Sequence, residues 1–311
     1  MGREIVVVGT SDVQRLRESI NSFRDLGNRF GGGNTREALL CYLRLEAKPL
    51  LRGRYGVNVG RELRATVAEG LLLAGWATYD SGPTGVLAQR YFGQAAALAS
   101  ETAAPLLAAR IHGAMSERNV FLGRYTKVVT VARTARAGIR GFPAPALTTY
   151  LYLMEARALA GKGDAKGCFA ALSTAITEFD RGDPANEPSW MSFFDESALC
   201  AEIAHCMQDL GRPKDAIRYA EMNRCIRTNA PEPSFECGDF IVSFVLASAL
   251  LATGEIAEAD CVARHAGTAG AKICSGRCES YAQRFRSQLP RTGAHGRPAV
   301  APVPAAAVSC V

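Results

Sequence analysis

The chain has 311 residues, 48% hydrophobic and 21% charged, with a formal net charge of +6 at pH 7. That composition excludes a wholly disordered chain, and about one excess cation per fifty residues is too mild to argue for a nucleic-acid surface. The length corresponds to about two ordinary domains or to one elongated repeat array.

Ala supplies 51 residues and Arg 30 of the 36 cations, a bias toward helix. After an extension at 1–9, residues 10–30 read as a helix, with Ser11 as cap and Val13, Leu16, Ile20, Phe23 and Leu26 on one stripe. Gly31-Gly32-Gly33 reads as a flexible joint before a second helix at 35–52, capped by Asn34. These N-terminal helices fill 10–58, and a repeat region is expected over 59–290.

Within that region one pattern recurs five times: an apolar-periodic stretch, a Gly-centred break, and a second amphipathic stretch rich in Ala. The breaks centre on Gly85, Gly123, Gly163, Gly211 and Gly254. Gly ends a helix by accepting the left-handed conformation, Pro213 suits the first turn of the next helix, and Ala216, Ala220 and Ala259 permit close helix approach. The spacing predicts helix pairs at 60–80 with 86–101, 105–122 with 124–138, 146–161 with 165–180, 189–210 with 213–227 and 235–253 with 256–268. A polar helix at 275–289 caps the array, and the Pro/Ala-rich stretch 291–311, with Cys310, reads as a disordered tail. A helix pair cannot bury its apolar face alone, so neighbours must stack. The expected fold is all-α, a TPR-like helical-hairpin solenoid.

The ten cysteines are scattered and read as free thiols in a reducing cytosol. No apolar run reaches the ~18–20 residues of a membrane span, and no secretory signal opens the chain. A cytoplasmic protein with no membrane contact is therefore expected.

Several segments together resemble a known family: Ser11-Asp12-Val13-Gln14-Arg15-Leu16-Arg17, Gly31-Gly32-Gly33, Pro49-Leu50-Leu51-Arg52-Gly53, Leu73-Ala74-Gly75-Trp76-Ala77-Thr78-Tyr79-Asp80, Leu87-Ala88-Gln89-Arg90-Tyr91-Phe92, Trp190-Met191-Ser192-Phe193-Phe194-Asp195-Glu196 and Ala204-His205-Cys206. In order over about residues 10–290, they are similar to the C-terminal, TPR-like sensor region of actinobacterial Xre-type helix-turn-helix transcriptional regulators. In that family a DNA-reading domain stands ahead of the sensor region. Only Met1–Thr10 stands there here, so DNA contact is expected through another chain alone.

The resemblance implies a concave groove for a peptide, a small molecule or a partner protein, lined mainly by the first helix of each pair. The candidates on those helices are Trp76, Tyr79, Arg110, Asn119, Tyr150, Glu155, Trp190 and Phe194. Asn119 could brace a peptide backbone with its amide. The competing reading is that these aromatics fill contacts between repeats.

Glu202-Ile203-Ala204-His205 places a carboxylate and an imidazole on one helix face, the pair that bundle di-metal sites use twice. No second pair exists, so Glu202 and His205 are weak metal candidates against a core histidine, and no cofactor is expected. Cys274 and Cys278 lack a partner pair for zinc, and the Gly triplet lacks the Lys-Ser/Thr of a phosphate loop. The functional expectation is a non-catalytic regulatory or scaffold protein, with a homodimer among its possible assemblies. The alternative is a recruited biosynthetic enzyme, metal-dependent through Glu202 and His205, working in a repurposed sensor pocket.

Overall fold

The computed structural model describes residues 6–183, 187–229 and 236–289. Four of its helices close on a glycine of positive φ. Gly123, Gly163, Gly211 and Gly254 take φ between 68° and 90°. After each, the next N–H reaches back to a carbonyl of the finished helix: Arg124 to Asn119 at 2.8 Å, and Asp164 to Leu159, Arg212 to Met207 and Glu255 to Leu250 at 2.9 Å. This closure satisfies carbonyls that a helix end would otherwise leave open. Gly85 departs from the pattern: its φ is not positive, and its N–H bonds the Gly82 carbonyl inside a longer loop. Pro105, Pro145 and Pro213 open three of the helices, Pro213 directly after the Gly211 break, where a missing N–H costs nothing.

The chain order is α1 (Thr10–Phe30), then α2 (Gly32–Tyr42), which runs through a π-helical turn (Leu43–Ala47) into the short α3 (Lys48–Leu51). Five pairs follow: α4 (Val57–Ser81) with α5 (Leu87–Glu101), α6 (Pro105–Phe121) with α7 (Tyr125–Gly138), α8 (Pro145–Gly161) with α9 (Ala165–Phe179), α10 (Glu196–Asp209) with α11 (Pro213–Thr228), and α12 (Glu236–Thr253) with α13 (Ile256–Ala269). The last helix is α14 (Gly276–Gln288). The fold is all-α. The described residues hold no strand, only an isolated parallel bridge between Val7 and Arg54.

Each pair divides into an inner and an outer helix. The first helices α4, α6, α8, α10 and α12 pack on one another in sequence, and the second helices lie outside them. Burial shows the division: α8 buries thirteen of its 17 residues, while α9 buries only Cys168, Ala171, Leu172 and Ala175 of its 15. Those four positions form one helical stripe, the pattern of a helix with a single packed face. Ala216, Ala220 and Ala259 are fully buried on such stripes. One apolar core (Leu16, Ile20, Leu39, Leu63, Val67) joins α1 and α2 to α4, so packing is continuous across the expected boundary at 58.

Three local expectations change. Gly9 rather than Ser11 precedes α1, and its N–H is bonded by the Asp12 carboxylate. Asn34 lies inside α2, which already begins at Gly32. Residues 189–195 form a 3₁₀ turn (Ser189–Met191) and a loop, because the Asp195 carboxylate caps α10 by accepting from the Ala198 N–H at 2.9 Å. A fourth change concerns α12, an 18-residue helix of mean hydropathy 1.6, which does reach the length and apolarity of a membrane span. Its Val242, Phe244, Val245, Leu246 and Leu250 are buried, and it packs against α10, α11, α13 and α14. The expected tail at 291–311, with Cys310, and the first five residues of the 1–9 extension lie outside the described residues.

The array returns on itself: α1 contacts α12, and α14 contacts α4. Here the Gly triplet is a packing surface rather than a loose joint. A Cβ on Gly31 would sit 2.4 Å from the Cys274 carbonyl oxygen, and one on Gly32 would sit 2.5 Å from that of Ala77. The Gly33 N–H bonds the Cys274 carbonyl, and the Cys274 N–H bonds that of Phe30, both at 2.9 Å. The polar α14 packs on α12 and α4 through one face, with Phe285 fully buried and Arg277 9% exposed. The hollow of the array is thereby flanked by α1 and α14.

Candidate functional site

Inside the ring is a cavity of about 140 Å³. Helical spacing brings its wall together. Arg110, Glu117 and Phe121 fall on one stripe of α6, Tyr150, Met154 and Arg157 on one stripe of α8, and Glu202 and His205 on α10. Trp76 and Tyr79 enter from α4, Trp190, Phe193 and Phe194 from the turn before α10, and Arg277 and Tyr281 from α14. Gly113 makes room for Tyr150, whose ring lies 2.4 Å from where a Cβ would stand. Tyr150 then meets Phe193 and Phe194 edge-on at 5.8 and 5.9 Å, a preferred aromatic geometry.

The wall also carries buried charge. Arg277 donates from Nε to Asp80 Oδ1 at 3.1 Å and from Nη1 to Glu117 Oε1 at 2.6 Å. Burial alone would lower this guanidinium, but Asp80 and Glu117 more than reverse that and hold its pKa well above the ordinary value. Glu117 also accepts the Tyr150 hydroxyl at 3.0 Å. Arg157 Nη1 donates to Glu202 at 2.6 Å, and Arg24 lies 3.8 Å from Glu69. Burial raises the carboxyls of Glu202 and Glu69, opposed by Arg157 and Arg24 respectively. Burial likewise lowers the Arg24 guanidinium, with Glu69 opposing and the nearby charge of Arg110 lowering it further. The His205 ring packs on Tyr281 at 5.4 Å. Burial and then the charges of Arg157, Arg277 and Arg284 push its imidazole well below the ordinary range, so it is neutral.

Six of the eight expected groove residues line the cavity: Trp76, Tyr79, Arg110, Tyr150, Trp190 and Phe194. Asn119 and Glu155 do not. Asn119 lies two positions beyond Glu117, about 200° around the helix, and its amide donates to the Met115 carbonyl of its own helix at 2.7 Å. Glu155, one position past Met154, turns toward α7 and is held by Arg133 and Arg136. Glu202 and His205 both reach the wall, but Arg157 engages the carboxylate, and no group of three metal-ligating side chains exists among the described residues.

Arg24, Glu69, Glu117, Arg157, Phe193, Arg277 and Tyr281 are wall residues that sequence reasoning missed. The signal for three of them was present: Glu69, Glu117 and Arg157 are charged residues on the apolar inner stripes of α4, α6 and α8, where burial demands a partner.

No protein-family model matches the chain, and no curated protein matches it.

Proposed function

We propose that this protein is a regulatory or scaffold protein, a TPR-like helical-hairpin solenoid closed on itself, that binds a small molecule in its central cavity. The observation that carries this reading is the convergence of side chains from α4, α6, α8, α10, the turn before α10 and α14 on one cavity with aromatic walls and fixed charges. Few, well-placed polar groups in a concave apolar site are the usual features of a ligand pocket. Size favours a small molecule over a peptide, since a cavity near 150 Å³ accommodates about one benzene ring. The resemblance to the sensor region of Xre-type regulators supports the same role, with any DNA contact supplied by another chain. Glu202 is already engaged by Arg157, which makes binding the better-supported reading over metal chemistry through that pair.

For ligand to act as a signal it must prefer one arrangement of the ring over another. The junction of α14 with α4 is the place for that preference, because Arg277 belongs to both the cavity wall and the closure. The chain has two tryptophans, Trp76 and Trp190, and both line the cavity. Intrinsic fluorescence therefore reports on the site directly. Titration with fractionated small molecules from cell extract is expected to change that emission and raise the melting temperature with the same fraction. If no fraction moves either signal, the proposal fails.

A further inference from the structure

Four of the five arginines on the cavity wall face a carboxylate also on the wall: Arg24 and Glu69 at 3.8 Å, Arg157 and Glu202 at 2.6 Å, Arg277 and Glu117 at 2.6 Å, and Arg227 and Asp239 at 3.4 Å. Arg110 has none. It is 6% exposed, and its Nε and Nη1 are buried without an acceptor among the described residues. Its guanidinium instead lies 4.9 Å from the Tyr150 ring centre and 4.6 Å from that of Phe193. Contact of this kind uses the faces of the planar group and leaves its N–H edge open to an acceptor. A buried cation with no counter-charge is unfavourable unless something supplies one.

We propose that the cavity binds a small monocarboxylate with a ring-sized apolar body, its carboxylate paired with Arg110. This rests on the small-molecule reading above. A single negative charge matches the single unmatched arginine, whereas a second would face Glu69 and Glu117 on the flanking and same helices. The planar carboxylate fits the guanidinium fork, which an ammonium or a neutral amide oxygen matches less well. The volume and the aromatic walls of Trp76, Phe121, Trp190 and Phe193 set the size and apolarity of the body.

The test uses the full chain and two matched pairs of probes: benzoate with benzamide, and phenylacetate with phenylacetamide. Binding is read by tryptophan fluorescence and by calorimetry at fixed pH and ionic strength. At least one acid is expected to bind ~10-fold or more tightly than its amide, the factor that corresponds to one modest charged hydrogen bond. Arg110→Met is expected to erase that preference while leaving the amide affinity in place, and Arg110→Lys to keep part of it. Equal binding of acid and amide, or a preference that survives Arg110→Met, overturns the charge assignment and leaves the small-molecule pocket standing. Failure of all four probes overturns the ligand class, while the extract titration decides the pocket independently.

Discussion

Replacing Asp80 with Ala cuts the junction where the last helix returns to the first pair. Asp80 is fully buried. It accepts from the Gly32 N–H and the Ser275 hydroxyl, each at 2.8 Å, and from Arg277 Nε at 3.1 Å. Three segments far apart in sequence thus share one carboxylate. Removing it leaves a buried N–H without an acceptor and Arg277 with Glu117 alone. Loss of one member of a buried ion pair costs about 3–5 kcal/mol. At about 2.1 cal/mol/K of unfolding entropy per residue, each kcal/mol lowers the melting temperature of this chain by about 1.5 °C. Asp80→Ala is therefore expected to melt about 6 °C below the parent in thermal unfolding followed by circular dichroism. Asp80→Asn keeps the volume and one acceptor and is expected to lose about half as much. An Ala variant within about 2 °C of the parent would refute the reasoning, because the closure would then bear no load.

Three further outcomes test other parts of the structure. Arg110→Met removes a buried charge with unmet donors, worth about 2–4 kcal/mol, and loses two aromatic contacts of about 1 kcal/mol each; the ligand-free melting point should rise by a few degrees or stay level, and a clear drop would contradict the unmet charge. Gly31→Ala places a methyl at φ +88°, 2.4 Å from the Cys274 oxygen, so the melting point should fall by several degrees, whereas a flexible joint would tolerate the change. His205 is held neutral while its unfolded counterpart takes up a proton near pH 6.5. The folded state binds that proton more weakly, so the stability His205 contributes is present above about pH 6.5 and is lost as the pH falls further. Comparing parent and His205→Gln melting between about pH 7.5 and 5 should show the parent losing more; parallel curves would show that the imidazole charges freely.

How Arg277 is shared gives the ring a physical link between contents and closure. A ligand that draws on Glu117 or Arg277 alters the same bonds that hold α14 to α4. Such coupling is a free-energy difference between two arrangements, and the Asp80 variants measure one side of it.

The sequence by itself determined the helix pairs, their order and most of their ends. Those rest on signals a few residues long: glycine accepting positive φ at 123, 163, 211 and 254, proline opening a first turn, and alanine stripes on the outer helices. Of the six cavity residues it named, Trp76, Tyr79, Arg110 and Tyr150 lie on inner helices, whereas Trp190 and Phe194 reach the wall from the turn and loop before α10. Tertiary structure alone decided that the Gly triplet packs against Cys274, that Asp80 meets Arg277 at 197 residues' separation, and that Arg110 faces aromatic rings with no acid bonded to it among the described residues. The physical reason is range. The signals that end a helix span a few residues, whereas the path of the whole chain decides which distant side chains meet.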